Sequence, residues 1–81
     1  MINFNIQFQT YNKFGQVESR CNSITFVNNG SATAVINGLN ILSGQSFSIP
    51  GNTNEMDKTI YNLSFTGGGT QEVIVIRKIY S

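Results

Sequence analysis

From Met1 to Tyr11 the chain alternates large apolar residues with neutral polar ones without interruption. Ile2, Phe4, Ile6 and Phe8 fall on one side, and Asn3, Asn5, Gln7 and Gln9 on the other. A period of two is that of a half-covered β-strand. On a helix the same hydrophobes would scatter around the axis. The segment is therefore expected to be a strand with Ile2, Phe4, Ile6 and Phe8 turned into a core. Its second face carries carboxamides where a solvent-facing strand normally places Lys or Glu against edge pairing. That choice suggests a face or an edge that meets other protein.

The rest of the chain follows the same style. Short β-favouring segments are separated at close intervals by Gly and Asn, the pattern of an all-β sandwich or barrel. Asn12-Lys13-Phe14-Gly15-Gln16 reads as a turn, followed by strands over Val17–Cys21 and Ser23–Val27. Asn28-Asn29-Gly30 is a candidate for positive φ angles. Ala32–Ile36 and Leu39–Leu42 flank Asn37-Gly38, the strongest short-range hairpin signal. Ser43-Gly44-Gln45 turns the chain into Ser46–Ile49, which Pro50-Gly51 ends. After a polar loop come Thr59–Thr66 and Gln71–Tyr80, joined by Gly67-Gly68-Gly69. In the first of these two, Tyr61, Leu63 and Phe65 share a face opposite Ile60, Asn62 and Ser64. In the second, Val73-Ile74-Val75-Ile76 is apolar on both faces, as suits a central strand covered on both sides. The expectation is a single β domain over residues 1–81: a compact antiparallel β-sandwich of seven or eight short strands, resembling a trimmed jelly roll, with an immunoglobulin-like sandwich as the structural alternative.

Composition narrows the function classes. At 81 residues the chain is near the lower end for a self-sufficient core, yet Cys21 is its only cysteine and it has no histidine. It thus has neither an intrachain disulfide nor a zinc site to staple it, which makes oligomerisation an attractive source of buried surface. Charged residues are 11% of the chain, against about a quarter in ordinary soluble domains. The net charge of +1 gives no strong field for nucleic acid or an acidic membrane surface. No basic leader with a continuous apolar region is visible, and no stretch has the apolar length of a membrane helix. The expectation is synthesis in a host cytoplasm without a signal peptide and no membrane span.

Chemistry finds little support. Without histidine there is no Ser-His or Cys-His pair, and Cys21 has no conventional base. It is expected to pack as a small hydrophobe. Glu55 and Asp57 are the only close carboxylates. The loop Asn52-Thr53-Asn54-Glu55-Met56-Asp57 offers oxygen ligands to calcium without the carboxylate density of an EF-hand, so a surface turn is the plainer reading. No catalytic, cofactor-binding or metal-binding residue is assigned, and the chain is not expected to be an enzyme. Tyr11, Tyr61 and Tyr80 with abundant Asn permit a glycan site without forming a visible platform. Arg77-Lys78-Ile79-Tyr80 is the one basic-aromatic cluster, enough at most for non-specific contact with nucleic acid.

The middle of the chain resembles small β-rich virion structural proteins of bacteriophages. The stretch that carries the resemblance runs from Phe26 through Asn28-Asn29-Gly30, Asn37-Gly38 and Ser43-Gly44-Gln45 to Phe47, and continues through Gly51–Asp57 into Tyr61–Phe65. Short capsid and tail proteins show this Asn-Gly hairpin, Ser-Gly turn and Glu-x-Asp loop. The resemblance implies a non-enzymatic virion protein, most simply a vertex (penton) or minor capsid subunit. Such a subunit is a homo-oligomer that contacts other virion proteins such as a major capsid protein. A small glycan- or receptor-binding module is the alternative.

Overall fold

The structure is a computed structural model that describes residues 1–80; Ser81 lies outside the described residues. It contains the strands β1 (Phe4–Tyr11), β2 (Gly15–Glu18), β3 (Ser23–Asn28), β4 (Thr33–Ile36), β5 (Leu39–Ile41), β6 (Ser46–Ile49), β7 (Ile60–Thr66) and β8 (Val73–Tyr80). They form two four-stranded antiparallel sheets, sheet A in the order β1-β8-β3-β6 and sheet B in the order β2-β7-β4-β5. First pairs with last, second with seventh, third with sixth and fourth with fifth. That nesting is a long antiparallel hairpin rolled into two layers, the jelly-roll order.

The local chemistry explains the path. Asn37 and Gly38 carry φ of 47° and 87°. Two successive positive φ angles make a tight turn that follows the strand twist, so β4 and β5 pair directly with Ile36 opposite Leu39. Asn28-Asn29-Gly30 works differently from expectation. None of the three adopts a positive φ among the described residues. Gly30 is instead required by close approach, since a Cβ there would run into the backbone of Thr70 and Glu72. Asn28 is buried, and its Nδ2 donates to Ala32 O and Ile41 O, both at 2.8 Å, while its Oδ1 accepts from Gly30 N at 3.1 Å. One carboxamide thus replaces the missing ladder bonds where the chain crosses from sheet A to sheet B.

The core lies between the sheets. Val17, Ile36, Leu63 and Ala34 come from sheet B, and Ile24, Phe26, Val73 and Val75 from sheet A, with Cys21, Ile41 and Tyr61 closing the cluster. Phe26 and Tyr61 meet across the layers with ring centroids 5.1 Å apart at 70°, an edge-to-face contact. Tyr61 and Leu63 are buried and Phe65 packs against the cluster, while Ile60, Asn62 and Ser64 are exposed, as the period of two requires. β8 is the central strand anticipated, between β1 and β3, but its own fold covers only one face. Val73 and Val75 are buried, whereas Ile74 and Ile76 stay partly exposed.

The first strand is where expectation and structure part. β1 is a strand, but Phe4, Ile6 and Phe8 are 50%, 42% and 69% exposed, and Ile2 just ahead of it is 63% exposed. Register shows why. Phe8 stands opposite Ile76 and Ile6 opposite Lys78, on the outward face of sheet A, while Gln9 stands opposite buried Val75 and Gln7 opposite buried Arg77. β1 is an edge strand whose extended contact is with β8 alone. Little apolar cover awaits its inward side chains, and the guanidinium of Arg77 needs acceptors there. Gln9 Oε1 and Tyr11 Oη supply them, so the apolar side falls outside; a slip of one residue would reverse every side chain.

Candidate interaction surfaces

Two surfaces stand out, one on each face of β1. On the outer face of sheet A, Phe4, Ile6 and Phe8 adjoin Ile74, Ile76 and Tyr80 of β8 and Val27 of β3. Phe4 and Tyr80 lie opposite each other with ring centroids 6.0 Å apart at 67°. The one charged side chain on this face, Lys78, sits 4.4 Å from the Phe4 centroid and 5.2 Å from that of Tyr80. Its ammonium is thereby drawn over the rings by cation–π attraction. The outer face of sheet B is more polar: Asn62, Ser64 and Thr66 of β7 face outward beside Gln16, Val35 and Thr33, with Ile60 its exposed apolar residue on β7, beside Glu18.

Ile2, Phe4, Ile6 and Phe8 together expose about 400 Å² of apolar-residue surface at these exposures. That falls in the range of about 300–600 Å² found for the largest patch of a typical monomer, often a functional one. Among the described residues the outer edge of β1 has no strand beside it in sheet A, and no Lys, Arg, Asp, Glu or Pro interrupts Phe4–Tyr11.

The inner face of β1 borders a polar groove of about 530 Å³ lined by Gln7, Gln9, Tyr11, Gln16, Glu18, Ser19, Arg20 and Arg77. Arg77 is 8% exposed. Its Nε donates to Glu18 O and Ser19 O, both at 3.1 Å, its Nη2 to Glu18 O at 2.8 Å and Tyr11 Oη at 3.4 Å, and its Nη1 to Gln9 Oε1 at 2.9 Å. At the rim Arg20 pairs with Glu18 at 3.0 Å. Arg20 has the left-handed φ of 43°, a conformation costing about 1–2 kcal/mol for a residue with a Cβ.

The residues weighed from sequence are dispersed or occupied. Strand alternation splits Arg77 from Lys78, one inward and one outward, so they form no joint basic platform. Tyr61 turns to the core, Tyr80 outward, and Tyr11 borders the groove. In the Asn52–Asp57 loop the Glu55 carboxylate accepts from Asn52 N at 3.2 Å and Asn52 Nδ2 at 2.7 Å. Asp57 accepts from Thr59 N at 2.8 Å and Tyr61 Oη at 3.0 Å. Among the described residues no three His, Cys, Asp or Glu side chains gather as metal ligands. The loop is held by buried Asn22, whose Nδ2 donates to the carbonyls of Asn52, Thr53 and Glu55 and whose Oδ1 accepts from Tyr80 N at 2.9 Å. It is a surface turn pinned from beneath.

Electrostatics follow this wiring. Burial works to raise the Asp57 pKa, but hydrogen bonds from Thr59, Tyr61 and Ser19 outweigh it and hold the carboxyl below its ordinary value of 3.8. Burial, then the Asp57 carboxylate, push Tyr61 up. Cys21 is fully buried, and burial followed by Asp57 raises its thiol against the opposing pull of Arg77. A thiol so placed packs as the small hydrophobe expected.

Sequence reading noted the amides of β1 and the apolar run Val73–Ile76 of β8 but not that Gln9 and Arg77 meet. The available signal was Arg77 itself, a charge on the same face of the strand as Val73 and Val75. Comparison with known proteins returned no matching family, no similar curated protein and no similar solved structure for this chain.

Proposed function

We propose that this chain is a non-enzymatic structural subunit that works by protein–protein assembly, with the outer face of sheet A packed against a second copy, and that its setting is a bacteriophage virion. The observation that supports assembly is the apolar face formed by Phe4, Ile6, Phe8, Ile74 and Ile76, with Lys78 its single charge. The part exposed on β1 and Ile2 is already half of the roughly 800 Å² that one partner buries in a standard interface. The half-exposed side chains of β8 and β3 extend it. A second copy is the favoured occupant because the face is uncharged apart from Lys78 and therefore does not repel itself. The capsid setting, as a vertex or minor capsid subunit beside a major capsid protein, draws on the resemblance of the turn motifs. It agrees with a fold class frequent in capsid subunits, an analogy of fold alone.

Light scattering over a concentration series tests the assembly. A discrete oligomer that Phe8→Asp converts to a folded monomer is the expected result. A wild-type monomer at millimolar concentration would overturn it. Mass spectrometry of purified particles from an infected host tests the virion setting, which fails if peptides of this chain are absent from them.

A further inference from the structure

The polar groove on the other side of β1 has a different chemistry. Arg77 is more than nine-tenths buried, yet the only ion pair among the described residues joins Glu18 to Arg20, at the exposed rim. A buried charge is ordinarily paired, because desolvating it without a counter-charge is costly. Here backbone carbonyls, one carboxamide and one phenol hold the guanidinium in a fixed plane without neutralising it. Its hydrogens are also not used up. Nε–H is shared between two carbonyls and both Nη2 hydrogens have acceptors, but Nη1 donates only to Gln9. A guanidinium offers five N–H donors, so one Nη1–H is left over. The groove's charged side chains are Arg77, Arg20 and Glu18, a net of +1, and Arg20 already engages Glu18.

Around this cation stand exposed Gln7 and Gln9 on the β1 side, with Tyr11, whose Oη donates to Gln9 Oε1 at 2.9 Å, and Gln16 on the other; the Ser19 hydroxyl is buried and turned away to Asp57 O and Thr59 O. Exposed carboxamides at alternate positions of one strand face suit neighbouring hydroxyl groups of a sugar, and a preorganised guanidinium suits a carboxylate. We infer that the groove between β1 and β2 binds a carboxylate-bearing saccharide, with the ligand carboxylate on Arg77 Nη1 and its hydroxyls on the Gln7 carboxamide and Gln9 Nε2. The site goes beyond the assembly reading and is independent of it. It uses the inward side chains of β1, whereas assembly uses Phe4, Ile6 and Phe8 on the outward side.

The test is a titration of the intact 15N-labelled protein with D-glucuronate, with D-glucose and acetate as controls, each to about 50 mM, enough to populate a site of millimolar affinity. Saturable shifts confined to the amides of Gln7, Gln9, Glu18, Ser19 and Arg77, seen with glucuronate and weaker at least tenfold with either control, are expected. Gln9→Ala should weaken glucuronate about fivefold, the loss of one hydrogen bond, with a retained cooperative melting transition showing that the fold survives. Phe8→Asp should bind as wild type does, whatever it does to assembly. No saturable shift with glucuronate, equal response to acetate or to glucose, or full binding by Gln9→Ala would each overturn the assignment.

Discussion

Two phenylalanines on either side of β8 in the same sheet provide the sharpest check on which way β1 faces. Phe26 of β3 is fully buried against Tyr61, while Phe8 of β1 is 69% exposed. Truncating a buried Phe to Ala costs about 3–5 kcal/mol, through lost transfer energy and the cavity left behind. Complete burial of such a side chain is worth about 1.5–3 kcal/mol. Only about a third of Phe8 is covered, so Phe8→Ala should cost about 0.5–1 kcal/mol in the isolated subunit. A domain of this length has a total stability of about 4–12 kcal/mol, so Phe26→Ala consumes a large part of it and Phe8→Ala a small part. Urea unfolding followed by circular dichroism reads the difference. With a slope of about 1 kcal/mol per molar urea, the Phe26→Ala midpoint should fall by about 3 M or more and that of Phe8→Ala by about 1 M or less. Each curve is recorded at two protein concentrations, because association adds stability that grows with concentration. Wild type should show that dependence and Phe8→Asp should lose it. If Phe8→Ala proves as costly as Phe26→Ala in the dilute series, the apolar side of β1 belongs in the core and the register described is wrong.

Further outcomes follow from single contacts. Asn22→Ala removes the donor to three loop carbonyls and the acceptor for Tyr80 N. It should cost about 2–4 kcal/mol, given about 1–3 for each buried group left unpaired, and should make the Asn52–Asp57 loop the first site of limited proteolysis. Gly38→Ala, at φ 87°, should lower stability by about 1–2 kcal/mol in the same unfolding assay, the cost of a Cβ in left-handed backbone. Gly30→Ala should be worse, because rigid backbone of Thr70 and Glu72 stands where the methyl must go. The lowered pKa of Asp57 contributes stability that is present above about pH 4, where the unfolded carboxyl is ionised, and is lost as pH falls through the folded value. A melting series from pH 6 to pH 2 should therefore show a steeper acid loss for wild type than for Asp57→Asn.

Much of the architecture was legible because it rests on local rules. Asn37-Gly38 makes its hairpin, Pro50-Gly51 follows the last residue of β6, and the alternation of Tyr61, Leu63 and Phe65 gives the core face of β7 directly. β1 was legible as a strand and misread in its facing. Periodicity shows that two sides differ, but which one is covered depends on what the opposite layer places there, and that is a property of the roll. The eight residues Phe4–Tyr11 alone do not contain the information that Arg77 would sit opposite Gln7. The groove was hidden for the same reason, since Gln9 meets Arg77 only through pairing of the first and last strands, and the carbonyls of Glu18 and Ser19 reach it only when the second sheet packs on the first. Asn28 read as a turn residue and Asn22 drew no reading, yet both are buried hubs, because a carboxamide that suits an exposed turn also satisfies buried backbone when one is near.

The nested pairing of the strands has a kinetic consequence. Only β4 and β5 are joined by a tight local turn, and every pair outside them must close a longer loop. A route that starts at Asn37-Gly38 and proceeds outward through β3–β6 and β2–β7 keeps each successive closure short, because the strands already paired shorten the effective loop. Folding in any other order must bring distant segments together before contacts reward it, the reason sandwiches of this kind fold in milliseconds to seconds. The last pair to close is then β1 on β8. Until it does, the edge of β8 bearing Val73-Ile74-Val75-Ile76 is open to the same strand of another chain. Dilution during refolding should accordingly favour the native roll over aggregate, with the yield limited by how fast the first strand finds the last.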